Sequence, residues 1–184
     1  MARPRTIDRK NVLDCVEQLV QREGANALTL DAVAREAGIT KGGLQYCFGS
    51  KDALISALID RWLDAFDARV ARHIGPDASV ADRARAYVRA VSQLDDTTQA
   101  RIAGMLVTLL QSPKYLQKIR AWYAGWFSGC DPDCAEARQA RTALFAAEGA
   151  FFLRNLGFVE MDQEWWHTVF ADFQRLLLPD TQTA

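Results

Sequence analysis

The segment from Leu28 to Leu54, LTLDAVAREAGITKGGLQYCFGSKDAL, constrains this chain more than any other stretch. Two short helical patterns meet in it at a glycine. Leu30, Val33, Ala34 and Ala37 recur at helical spacing, which gives the first helix one apolar face and leaves Asp31, Arg35 and Glu36 to solvent. Thr29 is placed to cap the free N–H groups of the first turn, with Asp31 near the positive helix end. Gly38 suits the left-handed conformation that ends a helix, and Ile39 fills the angle between the two helices. The pattern reads as a helix-turn-helix.

Thr40 is the natural cap of the second helix, Lys41 to Cys47. Only Leu44 and Cys47 need face inward, with Phe48 closing the end. Two adjacent glycines in a helix interior cost about 1 kcal/mol each relative to alanine, so Gly42 and Gly43 point to close approach by another surface. In a DNA major groove they let the backbone near the bases and phosphates, while Lys41, Gln45 and Tyr46 supply a charge, a bidentate amide and a hydroxyl. A purely structural interhelical contact is the alternative. Ser50 caps a fourth helix, and Lys51 in its first turn opposes the helix dipole unless an anion such as a phosphate sits there.

The remaining sequence frames this motif. Apolar residues make up 49% and charged residues 24% of 184, a globular balance with length for a small domain attached to a larger one. No run approaches a membrane span, and MARPRTIDRK lacks the apolar core of a signal peptide, so a cytoplasmic location is expected. Cys15, Cys47, Cys130 and Cys134 are few and irregularly spaced, which predicts reduced thiols. The net charge is −1, yet eight basic residues face six acidic ones through Lys51, giving a slightly basic end on an acidic body. Met1 to Arg5 reads either as a basic arm, with Arg3 and Arg5 free to reach phosphates, or as a frayed terminus.

The segment around the glycines, LTLDAVAREAGITKGGLQYCFGSKDAL, resembles the N-terminal domain of the tetracycline-repressor (TetR) family almost position by position. With the flanking helices the resemblance covers about the first third of the chain. Gln45 stands where that family often has an aromatic residue and Cys47 where it often has histidine or tyrosine. The resemblance assigns Lys51 a phosphate contact. It implies an all-α homodimer that binds a palindromic double-stranded DNA operator, and a larger C-terminal domain that binds a small-molecule effector and thereby releases DNA.

Helical periodicity continues to the end, with no alternating strand pattern. The first helix is expected from about Ile7 to Glu23 and the fourth from about Lys51 to His73. Five more follow at roughly Val80–Gln93, Thr97–Gln111, Pro113–Ser128, Asp133–Leu156 and Gln163–Leu178, separated by cap and turn residues. The expected domains are residues 1–51 for DNA binding and 52–184 for ligand binding and dimerisation. The eighth helix shows small residues and the ninth several apolar faces, so a two-fold four-helix seam is expected to bury Leu144, Ala147, Phe151, Trp166, Phe170 and Phe173. Cover of the sixth and seventh helices is the alternative.

Aromatic residues concentrate in the C-terminal half, as core, as interface or as a pocket. The ligand candidates are Trp62 and Phe66 on the fourth helix, Arg101, Met105 and Thr108 on the sixth, Trp122 and Trp126 on the seventh, and Phe145, Glu148 and Phe152 on the eighth. Glu148 lies within LFAAEGAFFL, where an unpaired carboxylate is costly. It pairs with Arg154 or Arg120, stays exposed, or lines an aromatic pocket and attracts a cation.

An enzyme is disfavoured. The only histidines, His73 and His167, lie far apart, and no serine or cysteine sits in a nucleophile elbow. Cys130 and Cys134, beside Asp131 and Asp133, lack the second pair or nearby histidine that a zinc site needs; no metal or cofactor is expected. The reading is a ligand-responsive repressor released by a small apolar, aromatic or cationic molecule. The alternative is a dimeric DNA-binding adaptor without an effector.

Overall fold

The computed structural model describes residues 7–24, 27–109, 112–129 and 133–178. Among them are nine α-helices and no strand. They are α1 (Arg9–Glu23), α2 (Leu30–Glu36), α3 (Lys41–Phe48), α4 (Lys51–Ala71), α5 (Val80–Ser92), α6 (Asp96–Leu109), α7 (Pro113–Phe127), α8 (Ala135–Asn155) and α9 (Gln163–Arg175). Their starts follow from side-chain caps. Asp8 accepts from the N–H groups of Lys10 and Asn11 at the head of α1, so this helix begins at Arg9 rather than Ile7. Ser79 and Asp82 close a reciprocal capping box on α5, and Asp162 accepts from the N–H of Trp165 on α9. Each such cap satisfies donors that a helix end otherwise leaves open and contributes about 1 kcal/mol.

The chain divides into two compact units, residues 1–64 with 104–116, and residues 65–103 with 117–184. The helices α4, α6 and α7 contribute residues to both. In the first unit, α1 packs Val12, Val16 and Leu19 against a core that includes Val33 of α2, Leu44 and Phe48 of α3, and Leu54 and Leu58 of α4. The unit runs beyond residue 51 because the first half of α4 is fastened to α1. Arg61 forms ion pairs with Asp14 and Glu17, and the Trp62 indole N–H donates to Glu17 at 2.6 Å. Arg22 reaches Glu36 with both guanidinium nitrogens, at 3.1 and 3.0 Å, and ties α1 to α2.

In the second unit, α5 carries Ala84, Tyr87, Val88 and Val91 into a core shared with α8 and α9. The inner face of α8 is nearly all alanine, with Ala140, Ala143, Ala147 and Ala150 buried, so the neighbouring helices approach closely. Trp166 and Phe170 of α9 fill the facing space, their ring centroids 4.2 Å apart. Gln99 is fully buried without loss. Its amide donates to the Leu94 carbonyl, and its oxygen accepts from Arg154 and Asn155 of α8. Such complete satisfaction removes the penalty of burying an amide.

The residues expected at the dimer seam take these places in the single chain. Leu144, Ala147, Phe151, Trp166 and Phe170 are buried within the chain's own second unit, because the small-residue face of α8 is the one that meets α5 and α9. Phe173 is half-buried at the edge of that core. The large apolar residues left exposed in this unit are Phe145 and Leu153 on α8, Leu156 and Phe158 just after it, Trp165 on α9, and Leu176 and Leu178 beyond α9.

Candidate functional site

The candidate nucleic-acid surface is built from local rules. Thr29 caps α2, its hydroxyl oxygen accepting from the Ala32 N–H at 3.1 Å. Thr40 caps α3 through the Gly43 N–H at 3.0 Å, and Ser50 accepts from the Ala53 N–H at 3.1 Å at the head of α4. Gly38 takes φ +64° between α2 and α3, a conformation that side chains rarely adopt. The turn so formed holds Leu44 and Phe48 inward and leaves Lys41, Gly42, Gln45 and Tyr46 outside. Tyr46 is 94% exposed, a placement that a folded chain seldom gives an aromatic side chain. Lys51 is also exposed, at the start of α4.

The two glycines differ. A Cβ on Gly42 would meet nothing within 4 Å, whereas one on Gly43 would lie 2.9 Å from Ile7 Cδ1 and 3.2 Å from the Thr40 hydroxyl oxygen. A side chain at Gly43 would thus have to move the flexible Ile7 tip and the Thr40 hydroxyl, whereas Gly42 leaves an open approach to the helix backbone. Lys41 donates to Asp31 at 2.8 Å, an exposed ion pair beside the recognition surface. Arg3 and Arg5 lie outside the described residues.

A second constellation lies in the second unit. Glu148 of α8 is half-buried, and its two carboxylate oxygens accept from two phenols, Tyr87 of α5 and Tyr123 of α7, the latter at 2.6 Å. Aromatic rings surround this group. Tyr87 contacts Phe66 of α4 and Trp126 of α7 edge to face at centroid distances of 5.0 and 4.9 Å. Trp122 meets Phe66 at 5.7 Å, Tyr123 at 4.9 Å and Trp126 at 6.1 Å. The Trp122 indole N–H donates to the Asp67 carboxylate at 3.0 Å. Burial pushes the Glu148 carboxyl above its ordinary range, and the phenol donors partly offset this. Burial first, and the neighbouring carboxylate second, push both phenols up, so they stay neutral donors.

Of the ligand candidates, Phe66, Trp122, Trp126 and Glu148 converge here. Phe145 is instead 61% exposed and stacked on Phe127 at 4.6 Å. Phe152 packs on Phe151, and Arg101 is half-buried on α6. Trp62 and Met105 belong to the first unit, where Trp62 is engaged by Glu17 and Met105 is buried. Thr108 lies in α6, but its side chain is outside the described residues. Arg154 does not pair with Glu148; it bonds Asp96 at 2.8 Å and lies over the Trp166 ring. Tyr87, Tyr123 and Asp67 were absent from the candidates. The one available signal for Tyr87 was its helical register with Ala84, Val88 and Val91, which marks it as inward-facing without naming its partner.

An open cleft of about 340 Å³ also lies in this unit, lined by His73, Asp77, Asp82, Arg85, Arg89 and Gln174 among others. Two nitrogens of Arg85 are already engaged there, by Asp82 and by the Leu177 carbonyl. Cys15, Cys47 and Cys134 are free thiols, while Cys130 lies outside the described residues. No cluster of three metal-ligating side chains occurs among the described residues. No described helix is long and apolar enough to cross a membrane.

Comparison with known proteins agrees with this geometry. Residues 13–58 match the family described as bacterial regulatory proteins, tetR family, and residues 81–178 match the tetracyclin repressor-like C-terminal domain. The HTH-type transcriptional regulator BetI of Burkholderia thailandensis is 35% identical over 95 residues, 50% of this chain and 47% of that protein. The chain thus spans about half the length of that curated relative. Two solved structures share the fold. A transcriptional regulator from Rhodococcus sp. Rha1 superposes with a TM-score of 0.73 at 17% identity, covering 93% of this chain and 96% of that one. A TetR transcription regulator from Haloarcula marismortui gives 0.72 at 15% identity, covering 92% and 95%. With one family model on its helix-turn-helix and another spanning more than half its length, this chain belongs to the TetR family of bacterial regulatory proteins.

Proposed function

We propose that this protein is a dimeric transcriptional repressor that binds a palindromic DNA operator through α3 and is released by a small molecule held in its second unit. The observation that carries the reading is the split of α3. Leu44 and Phe48 are buried on one side, while Lys41, Gln45 and Tyr46 stand exposed on the other around the open backbone of Gly42. That face offers the donors and acceptors that read base edges, and Lys51 with the free N–H groups of α4 offers a phosphate contact. A dimer places two such helices on half-sites one helical turn apart or a multiple of it. Its seam is drawn from the outer stripe of α8, Phe145 and Phe152, with Leu156 at its C-cap, together with Trp165 and Val169 of α9, since these apolar side chains are not fully covered by the chain itself.

The effector is an apolar, aromatic or cationic molecule bound at the ring cluster around Glu148. Trp122, Tyr123 and Trp126 share α7, whose first turn carries Lys114 and Tyr115. These bond Asp52 at 3.3 and 2.7 Å, next to Lys51. A ligand that favours another position of α7 therefore acts on the helix whose first residue contacts DNA, and only a difference in ligand affinity between the two arrangements is required. Footprinting on the DNA flanking the gene tests the reading. A protected palindrome that disappears with a ring-cluster ligand supports it; absence of sequence-selective protection overturns it.

A further inference from the structure

Glu148 carries a carboxylate whose burial its fold offsets with hydrogen bonds alone. Its carboxylate is held by two neutral phenols, and among the described residues no lysine, arginine or histidine forms an ion pair with it. Asp67, a second carboxylate at the margin of the same rings, accepts from the Trp122 indole N–H and has no ion pair among the described residues. Arg83 lies over the Trp126 ring at 5.8 Å and donates to the Gly125 carbonyl. Two acidic groups and five aromatic rings thus share a site in which, among the described residues, neither carboxylate is ion-paired and the guanidinium of Arg83 lies over one ring.

We propose that the Tyr87–Glu148–Tyr123 carboxylate, walled by Phe66, Trp122 and Trp126, is the counter-ion site for a small organic monocation, an alkylated ammonium, that serves as the effector. The proposal rests on the effector reading above and narrows its chemistry. Ring faces carry negative quadrupole density, so they attract a cation and repel an anion of the same size. A carboxylate in a poorly hydrated setting adds a charge interaction that a neutral ligand cannot use. Methyl groups on the cation replace water against the rings, whereas a bare ammonium would have to give up strong hydration. The phenols keep the carboxylate in place while the site is closed, and they remain neutral when a cation arrives. Because the rings contact one another edge to face, entry of the cation must part them, and three of the five move with α7.

The test uses an isosteric pair on the full chain, benzyltrimethylammonium and neopentylbenzene, with 3-phenylpropionate as the anionic probe. Quenching of tryptophan fluorescence reports binding, and operator release is followed in parallel. The cation should bind at least about tenfold more tightly than its neutral isostere, and the anion should not bind measurably. In Glu148→Gln, which keeps an acceptor for the phenols, the cation-to-neutral affinity ratio should fall by about tenfold. Trp126→Leu, checked for an unchanged helical spectrum, should lower cation affinity as well. Equal binding of the cation and the neutral isostere, or an unchanged ratio in Glu148→Gln, overturns the cation assignment. If the neutral probe nevertheless releases operator, the effector reading stands and only its chemistry is wrong. If no probe binds while operator is still recognised, both the cation site and the effector site are wrong.

Discussion

The Lys41 ammonium sits 2.8 Å from the Asp31 carboxylate, so the basic side chain of α3 is held by an acid on α2 in the free protein. Both side chains are at least half exposed, and such pairs contribute little to stability. Their consequence is for DNA binding. Asp31→Asn frees the lysine and removes a charge that repels phosphate, so operator affinity at low salt should rise several-fold for all sequences alike. Lys41→Ala should lower affinity and reduce the salt slope by about one unit. Weaker binding by Asp31→Asn would mean that the acid positions the lysine.

Sequence selection is assigned to Gln45. Its replacement by alanine should relax base preference by about 1–3 kcal/mol at one position of each half-site, while Lys51→Ala weakens all sequences equally. Competition footprinting with single-base operator variants checks both. An unchanged preference in Gln45→Ala would move base reading to Tyr46 or the backbone at Gly42.

The two glycines of α3 should behave oppositely. Gly42→Ala has open space and should gain up to about 1 kcal/mol of stability from helix propensity, yet lose operator affinity where the backbone approaches DNA. Gly43→Ala must displace the Ile7 tip and crowd the Thr40 cap, so it should gain less or lose stability. Thermal unfolding and operator titration of each variant separate the two effects. Equal stabilisation of both would show that Ile7 yields without cost.

Assembly should depend on the outer face of α8 and α9. Phe145→Glu and Trp165→Glu, at exposed positions, should give a monomer with an unchanged helical spectrum by sedimentation. Ala147→Glu, with no exposure at all, should unfold the second unit, because a charge without a partner is placed between closely packed helices. An unchanged dimer in both outer variants would place the seam elsewhere.

The Glu148 carboxyl, pushed by burial above its ordinary value of 4.5, makes stability depend on pH. The folded chain keeps this proton to higher pH than the unfolded chain. The contribution is therefore fully present below 4.5 and is lost as pH rises through the folded value. Tyr87 and Tyr123, which face the carboxyl from α5 and α7, stay neutral throughout. Relative to the wild type, Glu148→Gln should gain thermal stability progressively from acid to neutral pH. Taking the difference cancels Asp52, Asp82 and Asp96, whose depressed values act at lower pH and in the opposite direction. A flat difference would mean that the carboxyl is well solvated.

What the sequence by itself determined is what nearest neighbours along the chain control. The order of the helices, the Thr29 and Thr40 caps, the left-handed Gly38 and the exposed Lys41, Gln45 and Tyr46 all follow from periodicity and capping within one or two turns. Tertiary packing decided the rest. The alanine face of α8 was legible as a close-contact surface, but only the tertiary structure showed that it meets α5 and α9. The contact of Gly43 with Ile7, which precedes α1 in the chain, also came only from the tertiary structure. Tyr87 joined Tyr123 at Glu148 because α5, α7 and α8 bring together residues up to 61 positions apart. No local rule encodes that meeting: a helix pattern says which face turns inward, while the partner each side chain finds there depends on how the faces of several helices interlock.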